Sequence, residues 1–144
     1  AEQLIRDVVT AIHDAGATAV VHSCAASVPL GLLRRTGIDA LSLDITLLTE
    51  RDEEELAEAV DQGLTLWYGA VGSLAALSVP AETLVRREAS RLGLSAETLA
   101  RGVVVTPTCG LAGASEPGAL AAMRAARAAV RRLAETELRE TEER

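Results

Sequence analysis

The apolar residues of the chain fall into blocks that alternate between helical and strand-like spacing. The first block, Leu4, Ile5, Val8, Val9 and Ile12, repeats at helical intervals and predicts an amphipathic helix that ends at Gly16. Four short and almost wholly apolar blocks follow, of the kind that forms strands buried on both faces of a parallel sheet. These blocks are Ala17 to Ser23, Ile38 to Leu43, Leu64 to Ala70 and Val103 to Val105.

Helical segments separate and follow the predicted strands. They are Leu30 to Arg35, an acid-rich helix behind an N-cap at Thr49, Pro80 to Arg91, and a short turn from Ser95 to Arg101. A glycine-rich loop, Gly110 to Gly118, leads into a last helix. Its predicted buried face carries Leu120, Met123, Val130 and Leu133, and the segment beyond Glu135 is charged on all sides and predicts a solvated helical extension.

This alternation predicts an α/β fold with four parallel βα units preceded by an N-terminal helix. Parallel strands joined by helices have right-handed crossovers. Four units in about 130 residues average about 32 residues each, close to the ~31 residues per unit of an eight-unit barrel of ~250 residues. We therefore expect one domain over residues 1–144, built as half of a (βα)8 TIM barrel.

Composition and charge narrow the function classes. The chain has 144 residues, no Phe, and a single Trp and Tyr, so its core is built from aliphatic side chains. A net charge of −7 argues against a nucleic-acid partner, which would need a basic face. No signal peptide or membrane span is visible, and two cysteines without a secretion signal favour a cytoplasmic protein whose thiols are free or metal-bound.

Four residues with metal-binding side chains stand where predicted strands end. His22 and Cys24, two residues apart, end the first strand, Asp44 ends the second and Cys109 follows the fourth. The carboxyl ends of parallel strands share one rim, where functional groups gather in βα barrels. Thiolate and imidazole are ligands that Zn²⁺ prefers, so the sequence predicts a zinc site of His22, Cys24, Asp44 and Cys109.

The alternative interpretation is that both cysteines are small buried hydrophobic residues in an aliphatic core. The second histidine, His13, lies in the last turn of the first helix. There the helix dipole favours a solvated imidazole, and we assign it no functional role.

These residues resemble the cobalamin-independent methionine synthase family, in the second half of its C-terminal catalytic barrel. His22-Ser23-Cys24 matches a His-x-Cys at the fifth barrel strand, and Asp44 falls where the family has a glutamate. Pro107-Thr108-Cys109-Gly110-Leu111 matches a Pro-Asp-Cys-Gly-Leu at the eighth strand. The resemblance implies zinc at these positions, which activates homocysteine for methyl transfer from a donor such as methyltetrahydrofolate.

The chain departs from the family in two respects. Where the family's seventh strand ends in Tyr-Asp-Ile-His-Ser-Pro, this chain has Tyr68-Gly69-Ala70-Val71-Gly72-Ser73, so Val71 stands in place of a histidine proposed as the proton donor. The first four barrel strands, which contact the amino-acid part of homocysteine, have no counterpart here. The resemblance therefore implies a short, divergent relative or a piece of one.

Two functions are consistent with these features. The first is a zinc-dependent homocysteine methyltransferase domain of methionine biosynthesis. The second is a non-catalytic half-barrel with a structural or vestigial zinc, which acts through assembly. In either case four parallel strands leave two edges unpaired, so we expect a homo-oligomer or association with a complementary half-barrel.

Overall fold

The computed structural model describes residues 1–95, 99 and 103–142. Within these ranges, strands and helices alternate as the sequence predicts. The elements in chain order are α1 (Glu2–Asp14), β1 (Val20–Ser23), α2 (Leu30–Arg34), β2 (Ala40–Asp44), a 3₁₀ turn (Ile45–Leu47), α3 (Glu50–Asp61), β3 (Thr65–Val71), α4 (Ala81–Arg91), β4 (Val104–Pro107) and α5 (Glu116–Glu142).

The four strands form one sheet in the order β1-β2-β3-β4, and every neighbouring pair is parallel. The predicted α/β class and parallel sheet are therefore confirmed. Strand order follows chain order without reversal, so each crossover joins adjacent strands. A doubly wound sheet, in contrast, reverses its order at a switch point.

The hydrophobic core lies on one face of the sheet. Alternate strand residues pack there against the helices: Leu41, Leu43, Leu66, Tyr68 and Ala70. Val20, Trp67 and Val104 point the other way and belong to no core cluster of the described residues. The helices thus cover one face, and we call the other, which carries Val20, His22, Ser42, Asp44, Trp67, Gly69, Val104 and Thr106, the open face.

The prediction that the first strand is buried on both faces is wrong. None of the residues of β1 is fully buried, and His22 is exposed, whereas the first four residues of β2 are buried. β1 is an outer strand, and no helix of the described residues packs on its open face. Runs of buried residues occur in this sheet only in the two inner strands, β2 and β3.

The predicted buried face of the last helix is also partly wrong. Leu133 is buried, but Met123 is 56% exposed and is not a core residue. The face of α5 that meets the sheet is lined mainly by small residues, Ala122, Ala126 and Ala129. These small side chains let the α5 backbone lie close to the sheet, and the Met123 side chain, beside this alanine face, projects into solvent.

Local signals placed most helix ends correctly. Thr49 caps α3 in a reciprocal capping box with Asp52, as its position predicts. The loop predicted from Gly110 to Gly118 is shorter than expected, because α5 already begins at Glu116, with Pro117 in its first turn. The helical turn predicted from Ser95 to Arg101 lies outside the described residues. No helix in the described ranges has the length and apolar character to cross a membrane.

Glu88 of α4 is buried between the sheet and the helices. It is 4% exposed, and its Oε1 atom has no hydrogen-bond partner among the described residues. Burial, together with the nearby Glu53 carboxylate, raises the pKa of Glu88 to about 7. Burial followed by the charge of Glu88 raises the pKa of Tyr68 to about 12.

Candidate metal centre

The four predicted ligands all lie at the carboxyl edge of the sheet. His22 is in β1 and Cys24 follows its last residue, Asp44 is the last residue of β2, and Cys109 lies two residues beyond the end of β4. Because all strands are parallel, these positions meet at one edge. Both cysteines are free thiols that reach solvent, so the alternative of buried hydrophobic cysteines does not hold.

Three of these side chains converge on one point. The donor atoms of His22, Cys24 and Cys109 all lie within 4.8 Å of one another, and the two sulfur atoms are 3.0 Å apart. Zinc–sulfur bonds of ~2.3 Å in tetrahedral geometry separate two sulfurs by roughly 3.7 Å. A shift of less than about 1 Å would therefore fit the trio around a Zn²⁺ ion.

The meeting of the two cysteines requires a strongly curved edge. Their strands, β1 and β4, are the outermost of four, which in a flat sheet would lie about 14 Å apart. Sulfurs 3.0 Å apart require the two Cα atoms to lie less than about 9 Å apart, well below the spacing in a flat sheet. The sheet edge and its loops therefore curve over the open face and bring the ends of the chain's outer strands together.

A close approach of the two central strands accompanies this curvature. A Cβ atom placed on Gly69 of β3 would lie 2.4 Å from the carbonyl oxygen of Leu43 in β2. Any other residue at this position would push the two strands apart. The register also shifts between Gly69 and Val71, so β3 bends beside the site.

Ser42 holds the histidine of the trio in place. Its Oγ lies 3.0 Å from His22 Nδ1, and the Ser42 side chain is only 5% exposed. A hydrogen bond at one ring nitrogen fixes the imidazole and leaves the other, Nε2, for a metal ion. The sequence analysis missed this residue, although a polar side chain inside Leu41-Ser42-Leu43, two positions before Asp44, was the available signal.

Asp44 is beside the trio but is not part of it. Its Oδ1 accepts hydrogen bonds from the Thr46 backbone amide at 2.9 Å and from the Thr46 hydroxyl at 2.6 Å, and so caps the 3₁₀ turn. Its carboxylate is near enough for its charge to act on Cys24. The structure therefore brings three of the four predicted ligands together and holds the fourth in a separate contact.

The two thiols influence each other electrostatically. The hydrogen bond with Cys109, followed by desolvation and Coulomb repulsion, raises the pKa of Cys24 above its ordinary value. Two adjacent thiols resist becoming two adjacent thiolates. A cation bound between them would offset this repulsion, which suits a divalent metal ion.

Val71, the last residue of β3, is not among the converging side chains. Val71 is buried against Ala122 and Ala126 of α5. Nearer the metal-binding edge, the hydroxyls of Thr108 and Ser73 are 3.5 Å apart, at the limit of a hydrogen bond. The Thr106 hydroxyl on the open face is buried and has no partner in the described part of the chain.

The second histidine lies apart from this site. His13 at the end of α1 pairs with Asp39, with 2.8 Å between Nε2 and Oδ2, while the Asp39 carboxylate also accepts from the Ala19 amide. Hydrogen bonds from His13 and then Ala19 lower the pKa of Asp39. This pair connects α1 to the amino-terminal side of the sheet. His13 is exposed, as the sequence predicts, and it is not among the converging side chains.

Comparison of the chain with protein-family models, with curated protein sequences and with solved structures finds no match. The likeness to the methionine synthase family therefore rests on the motif residues themselves.

Proposed function

We propose that the chain is a zinc-binding domain that activates a thiol substrate for methyl transfer. The observation that carries this proposal is the convergence of His22, Cys24 and Cys109 within 4.8 Å at the carboxyl edge of the sheet. Two thiolates and an imidazole are a donor set typical of zinc. Zinc, when bound, supplies a positive charge that keeps a substrate thiol deprotonated at neutral pH.

A trio of converging ligands, with the nearby carboxylate of Asp44 held in another contact, supports a catalytic site over a structural one. Structural zinc sites use four protein ligands, whereas catalytic sites use three and keep the fourth position for substrate or water. Here Asp44 is the fourth candidate, but its carboxylate caps Thr46. A substrate sulfur could take the remaining position without first displacing a protein ligand, and zinc prefers sulfur to carboxylate oxygen.

We also propose that the fold is half of a (βα)8 barrel. The sequential order of four parallel strands, with the core on one face only, is the arrangement of barrel strands and their outer helices. The open face then corresponds to the barrel interior, and the trio lies at the end where barrel enzymes bind their substrates.

The substrate and reaction follow from the resemblance to cobalamin-independent methionine synthase. A homocysteine thiolate would attack the methyl carbon of a donor such as methyltetrahydrofolate, and the S–CH₃ bond would form as the nitrogen–methyl bond breaks. Two cysteinates give the site an electron-rich ligand set, which preserves the nucleophilicity of an added thiolate. His22, fixed by Ser42, and the two cysteines would position the thiol.

The second candidate function is a structural or vestigial zinc in a half-barrel that acts through assembly. The open face of the sheet, with Val20, Trp67 and Val104 outside the core, favours this reading. The two functions differ in one measurable property. Only a thiol-activating site has a coordination position that an added thiol can enter.

Cobalt substitution tests the proposal. We expect Co²⁺-loaded protein to gain sulfur-to-metal charge-transfer intensity when homocysteine is added, because a third sulfur enters the coordination sphere. Homoserine, with oxygen in place of sulfur, is the matched control and should leave the spectrum unchanged. A spectrum that does not change when homocysteine is added would favour the structural site. Absence of metal uptake would refute both functions.

A further inference from the structure

The two metal-binding sulfurs are also placed to react with each other. Cys24 Sγ and Cys109 Sγ are 3.0 Å apart, and both side chains reach solvent. A disulfide bond of ~2.05 Å requires an approach of about 1 Å. Cys24 lies in the loop after β1 and Cys109 in the loop after β4, so this approach needs no displacement of a strand.

We propose that Cys24 and Cys109 form a reversible disulfide when the chain meets a hydroperoxide, and that this oxidation abolishes metal binding. The loss of metal rests on the proposed zinc site, whereas the crosslink itself does not. The crosslink joins the two outer strands of the sheet across its curved edge.

The chemistry balances in two steps. One cysteine sulfur attacks a peroxide oxygen, the O–O bond breaks, and a sulfenic acid and one water form. The other cysteine sulfur then attacks the sulfenic sulfur, the S–S bond forms, and a second water leaves with the remaining proton. The two sulfurs lose two electrons in total, and these reduce one hydrogen peroxide to two waters. A dithiol reductant reverses the oxidation by thiol–disulfide exchange.

The short separation favours this outcome over further oxidation. A sulfenic acid without a neighbouring thiol can react with a second hydroperoxide to give a sulfinic acid, which ordinary thiols do not reduce. Here the resolving thiol is already at 3.0 Å, so the disulfide forms within the chain. Since the thiolate and not the disulfide is the metal ligand, the oxidised chain keeps only His22 of the trio.

The test begins with the reduced, metal-free 144-residue chain and one equivalent of hydrogen peroxide. After alkylation of remaining thiols, we expect mass spectrometry to show loss of two hydrogens, no alkylation, and one linked peptide pair containing Cys24 and Cys109. The yield of the intrachain crosslink should not depend on protein concentration, because the resolving thiol lies in the same chain. The matched variants Cys24→Ser and Cys109→Ser should yield no intrachain crosslink, and with two or more equivalents of peroxide they should accumulate sulfinic acid or covalent dimers.

A second measurement follows zinc in the same samples. We expect the reduced chain to bind one zinc, the oxidised chain to bind at least tenfold less, and dithiothreitol to restore binding. Sulfinic acids or covalent dimers from the unmodified chain would overturn the inference, as would a crosslinked chain that still holds its zinc. If the reduced chain forms the crosslink but never takes up zinc, the inferred disulfide is supported and the proposed zinc-dependent function is refuted.

Discussion

The Ser42 hydroxyl lies 3.0 Å from Nδ1 of the His22 imidazole and joins the second strand to the histidine of the candidate metal centre. The bond spans the register pair His22 and Ser42 of β1 and β2, so the pleat of the sheet itself aligns the two side chains. Because Ser42 is buried and His22 is exposed, the sheet fixes the inner end of the ring and leaves its outer end for the metal ion.

The first prediction concerns this orienting contact. We expect Ser42→Ala to weaken zinc binding by roughly 10–100-fold without abolishing it, as for other hydrogen-bond partners of metal-binding histidines. Competition with a chromogenic chelator measures the affinity. Ser23→Ala, one residue from His22 but on the opposite side of β1, is the matched control and should bind zinc as the unmodified chain does. Equal affinity of both variants would show that Ser42 does not orient the ligand.

The second prediction ranks the candidate ligands by how much zinc binding each of them supports. We expect Cys24→Ser and Cys109→Ser each to lose most of the bound zinc, because hydroxyl oxygen is a poor replacement for thiolate. Asp44→Ala should weaken binding less, since its carboxylate bonds Thr46 and lies outside the trio. Metal analysis after gel filtration gives the stoichiometry. Undiminished zinc in both cysteine variants would contradict the site.

His13 provides the control for the remaining ligand. His22→Ala should reduce zinc binding, whereas His13→Ala should not, because His13 pairs with Asp39 away from the trio. If the two histidine variants lost zinc equally, the histidine assignment would be wrong.

Much of this site could be predicted from the sequence, because the end of each apolar block marks the end of a strand. His22, Asp44 and Cys109 lie at or just beyond such ends, and in a parallel sheet all of these ends lie at the same edge. The contact of Asp44 with Thr46 could not be predicted, since an aspartate at a strand end suits a helix cap as well as a metal ligand.

Burial was harder to predict than strand order. Met123 satisfies the helical spacing of a core residue, yet the helix turns its alanine face to the sheet. The apolar run that contains β1 resembles a central strand, but its burial depends on neighbours that no local pattern specifies. Spacing identifies which residues share a face, and only the packed structure shows which face is covered.

The third prediction concerns pH and the buried Glu88. Its folded-state pKa of about 7 exceeds its ordinary value of 4.5, so the folded state holds a proton that the unfolded state releases. The free energy of unfolding should therefore fall as pH rises from 4.5 to about 7, and then level off. We expect Glu88→Gln to be more stable than the unmodified chain at pH 8, by about 1–3 kcal/mol.

Urea unfolding at several pH values measures this difference. The advantage of Glu88→Gln should shrink as pH falls from about 7 and vanish below 4.5, where the carboxyl is protonated in both states. Glu54→Gln, at an exposed position of α3, is the control and should keep the pH dependence of the unmodified chain. A Glu88→Gln chain with unchanged pH dependence would refute the assignment.

The fourth prediction concerns self-association through the open face. β1 and β4 each have one edge without a strand partner in the described part of the chain, and the open face carries the chain's single tryptophan, Trp67. Two copies could pair these edges and enclose the open faces between them. We expect sedimentation to show a dimer at micromolar concentration, with a blue shift of tryptophan emission as Trp67 becomes buried. A monomer with constant emission over the same concentrations would contradict this closure.

The last prediction concerns turnover. We expect the zinc-loaded 144-residue chain, taken alone, to form no measurable methionine from homocysteine with methyltetrahydrofolate or methylcobalamin as donor. Methyl transfer needs the thiolate and the methyl carbon held in line about 3–3.5 Å apart, and such positioning contributes roughly 7–11 kcal/mol. The trio lies at the edge of a sheet whose open face has no covering helix among the described elements, and Val71 packs against α5 instead of facing the site. Zinc can supply a thiolate there, but a thiolate exposed to water is not thereby aligned with a donor. The assay is the appearance of methionine by mass spectrometry, with the Cys109→Ser chain as the background. Methionine formed by the unmodified chain and lost in Cys109→Ser would show that these residues already suffice as an enzyme.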